Sequence, residues 1–398
     1  MKIQIITQYY HPEIGAAATR WTDYSRLLAE MGHEVTIICQ KPNYPNINLF
    51  TKKPFNKFEE HKTISLNIYR TWVWINDRNS FMKRIIYFNS FMISAIIKSI
   101  NLPKPDVYIA SSPSLFSGIA GVIISKLYKR PLILDIRDIW PESAIELGEL
   151  KSSISKNIGY ALQKFIYSKS SAFLVAVPGF SKHLSINSYS KNKIIIPLLN
   201  GVDDEFIKMG EAISKPYSDT INLIYAGNIG LAQDFVTIIK AAKLLGNKYK
   251  FVIIGDGILK KKVLKLINNI NTENVIVKEP LTKKELINEY AKANIGIVSL
   301  KNKNIFRNAI PSKTFEYMSS GLAVICTIKG EIENIIMESK GGICIEPGDP
   351  DIFANTVKSL TEEKIDSMGK NGKIFVKTKM KKSVLIRDAI YKIELMIN

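Results

Sequence analysis

The sequence predicts an α/β chain built as two doubly wound parallel sheets in series. Three observations carry this expectation. Short runs dense in Ile, Val and Leu recur, with glycine or polar residues at their exits. Longer segments with helical apolar spacing separate them. The alternation stops near residue 200 in a polar stretch and then restarts. Near-continuous apolar strands interleaved with helices indicate a parallel sheet covered on both faces. At 398 residues and 46% apolar content, the chain can bury two cores.

In the first half, KIQIITQYY reads as a strand, AATRWTDYSRLLAEMG as a helix ending at Gly32, and HEVTIICQ as the next strand. DVYIASS, PLILDIRD, SAFLVAVPG and KIIIPLLNG continue the set, giving residues 1–200 as one Rossmann-like domain. Residues 201–217 are polar and turn-rich and read as a linker. INLIYAGNIG, YKFVIIGDG, NVIVKEPL, NIGIVSL, LAVICTI and GGICIEP supply the strands of a second such domain, 218–375. The last segment, 376–398, is helical by its apolar spacing and is expected to pack back on the first domain. Two domains of this kind bring the carboxyl ends of two sheets to a central cleft, where open α/β folds bind ligands.

The net charge of +19 admits an anionic membrane surface, nucleic acid or merely solvated lysines as its reason. No nucleic-acid motif or arginine-rich run is present, so nucleic acid is set aside. Residues 1–200 carry roughly +12 and the rest roughly +7, which makes the amino-terminal half the more basic. Residues 81–100, FMKRIIYFNSFMISAIIKSI, are strongly apolar but interrupted by Asn89, Ser90 and basic residues. They fall short of the ~20 apolar residues a spanning helix needs. Such a helix can lie in a membrane interface, pack in the core, or present a different face to each. The opening run is short and lacks a small-residue cleavage site, so it reads as a strand rather than a signal peptide. Cys39, Cys326 and Cys344 lack metal-ligand spacing and read as small buried thiols in a reducing compartment.

Several loops carry chemistry-bearing residues. YYHPEIGAAATRW follows the first strand. Gly15 there lets backbone N–H groups approach a phosphate, or the segment is an ordinary strand-to-helix loop. Arg20 is a second anion contact or a surface ion-pair residue, and His11 is the histidine nearest the expected cleft. ILDIRDIWPES sets Asp135, Arg137, Asp138, Trp140 and Glu142 after a buried strand. These residues form a cleft wall, or an Arg137–Asp ion pair fixes the loop. In the second domain, YAGNIG offers Gly227 and Asn228, VIIGDG offers Gly255, and Leu281 is a further ligand-facing candidate. Asp349-x-Asp351 precedes a helix and reads as its cap, so no metal is expected.

The segment RNAIPSKTFEYMSSGLAVI, 307–325, is the most pointed. Pro311-Ser312 reads as a helix start with Ser312 as N-cap. Lys313 then adds a cation where the helix dipole already places positive charge, an arrangement that suits an external anion. Lys313 and Glu316 lie on one helical face and also suit a surface ion pair. In the functional reading, Pro311, Ser312, Lys313 and Thr314 surround a diphosphate while Glu316 accepts ribose hydroxyls.

NGVD at 200–203, YAGNIG, VIIGDG and the PSKTFEYMSSGLAVI helix together resemble retaining glycosyltransferases of family 4, which have the GT-B architecture. HPEIGAAATR, LDIRDIWPES and PSKTFEY resemble the bacterial surface-polysaccharide subgroup that includes L-fucosamine transferases of O-antigen and capsule assembly. The resemblance covers essentially the whole chain. It implies that Glu316 holds the nucleotide ribose. The family's other glutamate, a donor-sugar contact, falls on Asn308. Its Arg/Lys phosphate clamp falls near Leu231-Ala232-Gln233, so Lys313 is the substitute, with Arg307 or Lys303 next. The family's amino-domain histidine has no clear match, and Asp138 stands nearest by context.

The activity implied is transfer of a sugar, such as N-acetyl-L-fucosamine, from a UDP-type donor to a lipid-linked glycan with retention. Lys313, Asn308 and Asp138 are the catalytic candidates. Gly15 joins the second-domain loops as a donor contact, and His11, Arg20, Arg137, Trp140 and Glu142 face the acceptor. The resemblance implies no metal or other cofactor. The basic, apolar amino-terminal half fits a lipid-linked acceptor and a peripheral position on the inner face of the cytoplasmic membrane. Two alternatives stay open: a non-hydrolysing UDP-sugar epimerase and a non-catalytic nucleotide-sugar-binding scaffold.

Overall fold

The computed structural model describes all residues except 14, 45–46, 51–56, 62, 77–80, 113–114, 147, 149, 188, 214–219 and 398. The chain forms two compact units. One holds Met1–Asn200 and Leu385–Asn398, the other Gly201–Val384.

In the first unit, eight strands form one sheet: β1 (Lys2–Ile6), β2 (Glu34–Gln40), β3 (Phe58–Glu60), β4 (Leu66–Thr71), β5 (Val107–Ser111), β6 (Leu132–Ile136), β7 (Ala172–Val175) and β8 (Ile194–Pro197). Their order is β3-β4-β2-β1-β5-β6-β7-β8. The pairings run parallel, except that β3 lies antiparallel to β4 at the edge. Central strands such as β5 and β6 are buried along their whole length, which is why they read as runs dense in apolar residues, interrupted only by Ser111 and by Asp135, the partner of Arg20. The β3–β4 edge was not foreseen: its residues are half polar, and one edge face needs no apolar run.

The second unit has β9 (Ile221–Ala226), β10 (Tyr249–Ile254), β11 (Val275–Lys278), β12 (Ile295–Ser299), β13 (Ala323–Thr327) and β14 (Gly342–Cys344). They form a parallel sheet ordered β11-β10-β9-β12-β13-β14. In both sheets the chain winds outward from its first strand, jumps back and winds the other way. The switch points lie between β1 and β5 and between β9 and β12, where ligands bind in such folds.

The expected linker needs correction. Residues 204–211 form the helix Asp204–Glu211, and Asp203 caps it by accepting the N–H of Glu205. Phe206, Ile207 and Gly210 are buried in the second unit, where a β-carbon on Gly210 would meet the Ser319 carbonyl. A polar-looking stretch therefore hides one amphipathic turn pair. Residues 214–217 of that linker lie outside the described residues. The second unit also extends past 375, through Val384. The final helix, Lys382–Ile397, contributes Ile386, Ala389, Ile390 and Ile393 to the core of the first unit.

Residues 81–100 form one helix, Phe81–Ile100. Tyr87, Phe91 and Ala95 are buried in the first unit, whereas Met82, Ile86, Ile93 and Ile97 are exposed on the other side. Among the described residues no helix is long and apolar enough to cross a membrane.

Candidate active site

In the first unit, the loop after β1 is tied down by a residue the sequence reading passed over. Glu13 is buried, and its Oε1 accepts from Gln40 Nε2 at 2.8 Å, Asn43 N at 2.9 Å and Tyr44 N at 3.0 Å. Burial raises its pKa, and these hydrogen bonds oppose the rise. Gly15, at φ 139, begins the following helix without a side-chain cap. Its conformation favours glycine, and the space beside it admits only ordinary contact with Tyr44. His11 is exposed, its N–H donates to Thr22 Oγ1, and its carbonyl accepts from Arg70.

Arg20 is not an open anion contact. Its Nη2 lies 2.8 Å from Asp135 Oδ1, its Nη1 donates to Asn200 Oδ1 at 2.7 Å, and neither Arg20 nor Asp135 exposes its side chain. Trp21 Nε1 and Ser111 Oγ donate to Asp135 Oδ2 as well. The guanidinium is spent on internal partners and acts as a strut linking the first helix to β6.

Arg137 behaves differently. No ion pair to an aspartate forms among the described residues, and its buried Nε has no hydrogen-bond partner. Burial lowers its pKa, while nearby Asp135 opposes the shift. It is thus a cation with unused donors beside Asp138, Trp140 and Glu142, all half-buried. Gln163 Nε2 donates to the Trp140 carbonyl at 2.9 Å and to Glu142 Oε2 at 3.3 Å. Glu142 also faces His183 Nε2 at 3.8 Å. Gly159 lets the helix Ser153–Lys169 run directly against Trp140 and Pro141, since a β-carbon there would crowd both.

In the second unit, the two glycine loops zip together. Gly227 N donates to the Ile254 carbonyl at 2.9 Å and Ile229 N to the Asp256 carbonyl at 2.8 Å. A β-carbon on Gly255 would overlap the Gly227 carbonyl, and one on Gly257 would meet Ile229. Gly255 therefore serves loop-to-loop contact, which composition alone does not separate from ligand contact. Asn228 is exposed at the tip and Leu281 is half-buried.

The helix Lys313–Ser319 follows β12, and its Tyr317 Oη accepts the N–H of Ala226, the last residue of β9, at 2.8 Å. Ser312 does not cap it as expected: its φ and ψ, −59° and −26°, are already helical, and its hydroxyl makes no cap bond. The first-turn N–H groups of Thr314, Phe315 and Glu316 donate to Pro311 and Ser312 carbonyls instead. Lys313 Nζ lies 2.7 Å from Glu316 Oε2, so the ion pair is the arrangement present. Tyr290 Oη donates to the same oxygen at 3.4 Å. Thr314 Oγ1 is buried with no hydrogen-bond partner. Asn308 is exposed at the end of the short helix Asn304–Asn308.

Asp349 Oδ1 accepts the N–H groups of Asp351 and Ile352, so the Asp-x-Asp pair caps a helix as predicted.

Comparison with known proteins then decides the class. A glycosyl transferase 4-like domain matches residues 15–196, and glycosyl transferases group 1 match residues 211–375. The Escherichia coli K12 protein WcaI, named as a colanic acid biosynthesis glycosyl transferase, is 21% identical over 364 residues. That match covers 87% of this chain and 89% of WcaI. Sucrose-phosphate synthase from Thermosynechococcus elongatus has the same fold over 100% of both chains, at 15% identity and a TM-score of 0.76. Anabaena HepE in complex with UDP matches 99% of this chain and 100% of its own, at 12% identity and a TM-score of 0.70.

The chain is a GT-B glycosyltransferase. Within this glycosyltransferase, the role that sequence reading did not assign is that of Gln233. Its Oε1 accepts the N–H of Gly230 at 3.0 Å, closing the loop where the resemblance expects a cation. The signal was available: a Gly followed three residues later by an amide fits a side-chain-closed turn.

Proposed function

We propose that this glycosyltransferase uses a nucleotide diphosphate sugar, with UDP as the first base to test, and transfers the sugar to a lipid-linked glycan with retention. The pathway class proposed is bacterial surface-polysaccharide synthesis, in keeping with WcaI, and UDP in the HepE complex motivates the choice of base. No metal takes part in this reading.

The Lys313–Glu316 pair carries the proposal. The pair is half-buried and lies three residues apart on one helix, where such contacts are worth on the order of 0.5 kcal/mol. An entering nucleotide can therefore divide it: the diphosphate takes Lys313, and the ribose hydroxyls donate to the freed Glu316 carboxylate. The adjoining loops at the β9/β12 switch point supply the Gly227 and Asn228 surface. Asn308, Pro311, Ser312 and Thr314 flank the same helix start. In the first unit, Arg137 offers unused donors to an acceptor, with Trp140 as an apolar wall and Asp138 and Glu142 as acceptors of sugar hydroxyls.

Negative charge on the leaving diphosphate grows in the transition state, so Lys313 stabilises it most there. The acceptor hydroxyl attacks the anomeric carbon from the face the phosphate leaves, and its proton passes to a leaving phosphate oxygen. The exposed isoleucines of the helix Phe81–Ile100 and the basic excess of residues 1–200 support an inner-membrane-surface location, where a lipid-linked acceptor is found.

The test incubates the protein with a sugar-nucleotide panel, N-acetyl-L-fucosamine donors included, and lipid-linked acceptor in vesicles. Glycosylated lipid with the donor's anomeric configuration is expected. Epimerised free nucleotide, or binding without turnover, would replace the proposal with the epimerase or the scaffold.

A further inference from the structure

The second unit has another concave feature beside the donor loops. Loops leaving the carboxyl ends of β12, β13 and β14 enclose a pocket of about 60 Å³. Lys301, Lys303, Phe306, Arg307, Lys329 and Glu346 line it, among others. Four cations thus surround a space with one carboxylate.

Their partners are unequal. Lys329 is held by Glu333 at 2.7 Å and Glu346 at 3.6 Å. Lys301, Lys303 and Arg307 make no ion pair among the described residues. Like charges gathered on a concave wall repel one another and focus a positive potential that an anion relieves.

The pocket is also built into the backbone. Gly330, at φ +112, touches the Arg307 carbonyl so closely that a β-carbon would overlap it. That contact fixes the helix Asn304–Asn308 against the loop after β13. Lys301 N donates to the Ala232 carbonyl at 2.8 Å, fixing the other end to the loop after β9. Three cations are therefore displayed from a segment anchored at both ends.

We infer that this pocket receives a carboxylate carried by the donor sugar, so that the donor is a nucleotide-activated uronic acid. The inference rests on the donor reading above and goes beyond it. Neighbouring strands are about 4.8 Å apart, so β14 stands about 10 Å from β12. A diphosphate at the β9/β12 switch point leaves the sugar to reach toward β13 and β14, where the pocket lies. The pocket is small and partly open to solvent, so a compact charged group can enter it. Arg307 has the planar fork that pairs with a carboxylate through two parallel hydrogen bonds. Asn308, next in the chain, is an amide and adds no opposing charge.

The experiment is calorimetry on the full-length protein with matched donors: UDP-glucose against UDP-glucuronic acid, and GDP-mannose against GDP-mannuronic acid. In one pair the uronate should bind at least about tenfold tighter. Arg307→Ala and Lys303→Ala should each erase most of that advantage and leave the parent nucleoside diphosphate within about twofold. Both residues are exposed, and unchanged thermal unfolding will confirm that the variants fold. Equal binding within both pairs, or tighter binding of a neutral N-acetyl-L-fucosamine donor, overturns the inference. So does an Arg307→Ala loss as large for the nucleoside diphosphate as for the uronate, which would make this the diphosphate site. If UDP and GDP bind but uronates gain nothing, only this inference falls. If neither nucleotide binds, the donor reading falls with it.

Discussion

Arg20 and Asp135 meet 2.8 Å apart, 115 residues apart in sequence, with neither side chain reaching solvent. The pair is closed by Asn200, Trp21 and Ser111, so nearly every polar atom has a partner. Removing one member leaves a buried charge uncompensated. Asp135→Ala should cost about 3–5 kcal/mol of stability, the range for breaking a buried ion pair. Urea unfolding of the first unit measures it. A loss under about 1 kcal/mol would mean that water reaches the site and the strut is not tight.

Lys313 and Glu316 give the second prediction, which separates their roles by ligand. Lys313→Ala should weaken a nucleoside diphosphate about tenfold or more and leave the free nucleoside nearly unchanged. Glu316→Gln should weaken both, because both carry the ribose. Calorimetry with UDP and uridine reads the difference. Equal losses on Lys313→Ala would remove this lysine from the phosphate role.

These residues also mark how far sequence reaches. The strands were legible because burial on both faces demands near-continuous apolar runs, as in AFLV and AVIC. The edge pair β3 and β4 was not, because an edge strand may be polar. Site residue types were legible, and so was the local Lys313–Glu316 pairing, but not partners distant in the chain. Arg20 looks the same in sequence whether it faces a ligand or Asp135, and only a contact 115 residues away decides. Ser312 had the chemistry of a cap, yet its backbone is already helical. The helix Asp204–Glu211 was hidden because only Phe206, Ile207 and Gly210 of its eight residues are buried.

Gly255 supports a prediction about the donor loops. A side chain there would overlap the Gly227 carbonyl, and its φ of +150 is one that other residues rarely adopt. Both penalties fall on the same backbone contact. Gly255→Ala should destabilise the second unit by about 2–4 kcal/mol, combining overpacking with backbone strain. Nucleotide binding should fall with it, since Gly227 must shift. A variant with unchanged stability would show that the two loops separate easily.

The cysteines supply the last prediction. Cys326 and Cys344 are paired in register on β13 and β14. A hydrogen bond from Cys326 lowers the pKa of half-buried Cys344, and the same bond, with burial, raises that of Cys326. Burial pushes the Cys39 thiol up to about 12. The thiolate is the reactive form, so at pH 8 Cys39 is about one part in ten thousand ionised while Cys344 is far more so. Iodoacetamide should therefore label Cys344 at least about tenfold faster than Cys39 or Cys326. Peptide mapping by mass spectrometry identifies the site. Labelling of all three thiols at one rate in the folded protein would show that the β13–β14 edge opens as readily as Cys344 reacts. Cys326→Ser keeps a hydroxyl donor at the paired position, and Cys344 should then stay reactive. Cys326→Ala removes the donor, and the Cys344 rate at pH 8 should drop toward that of an ordinary half-buried thiol.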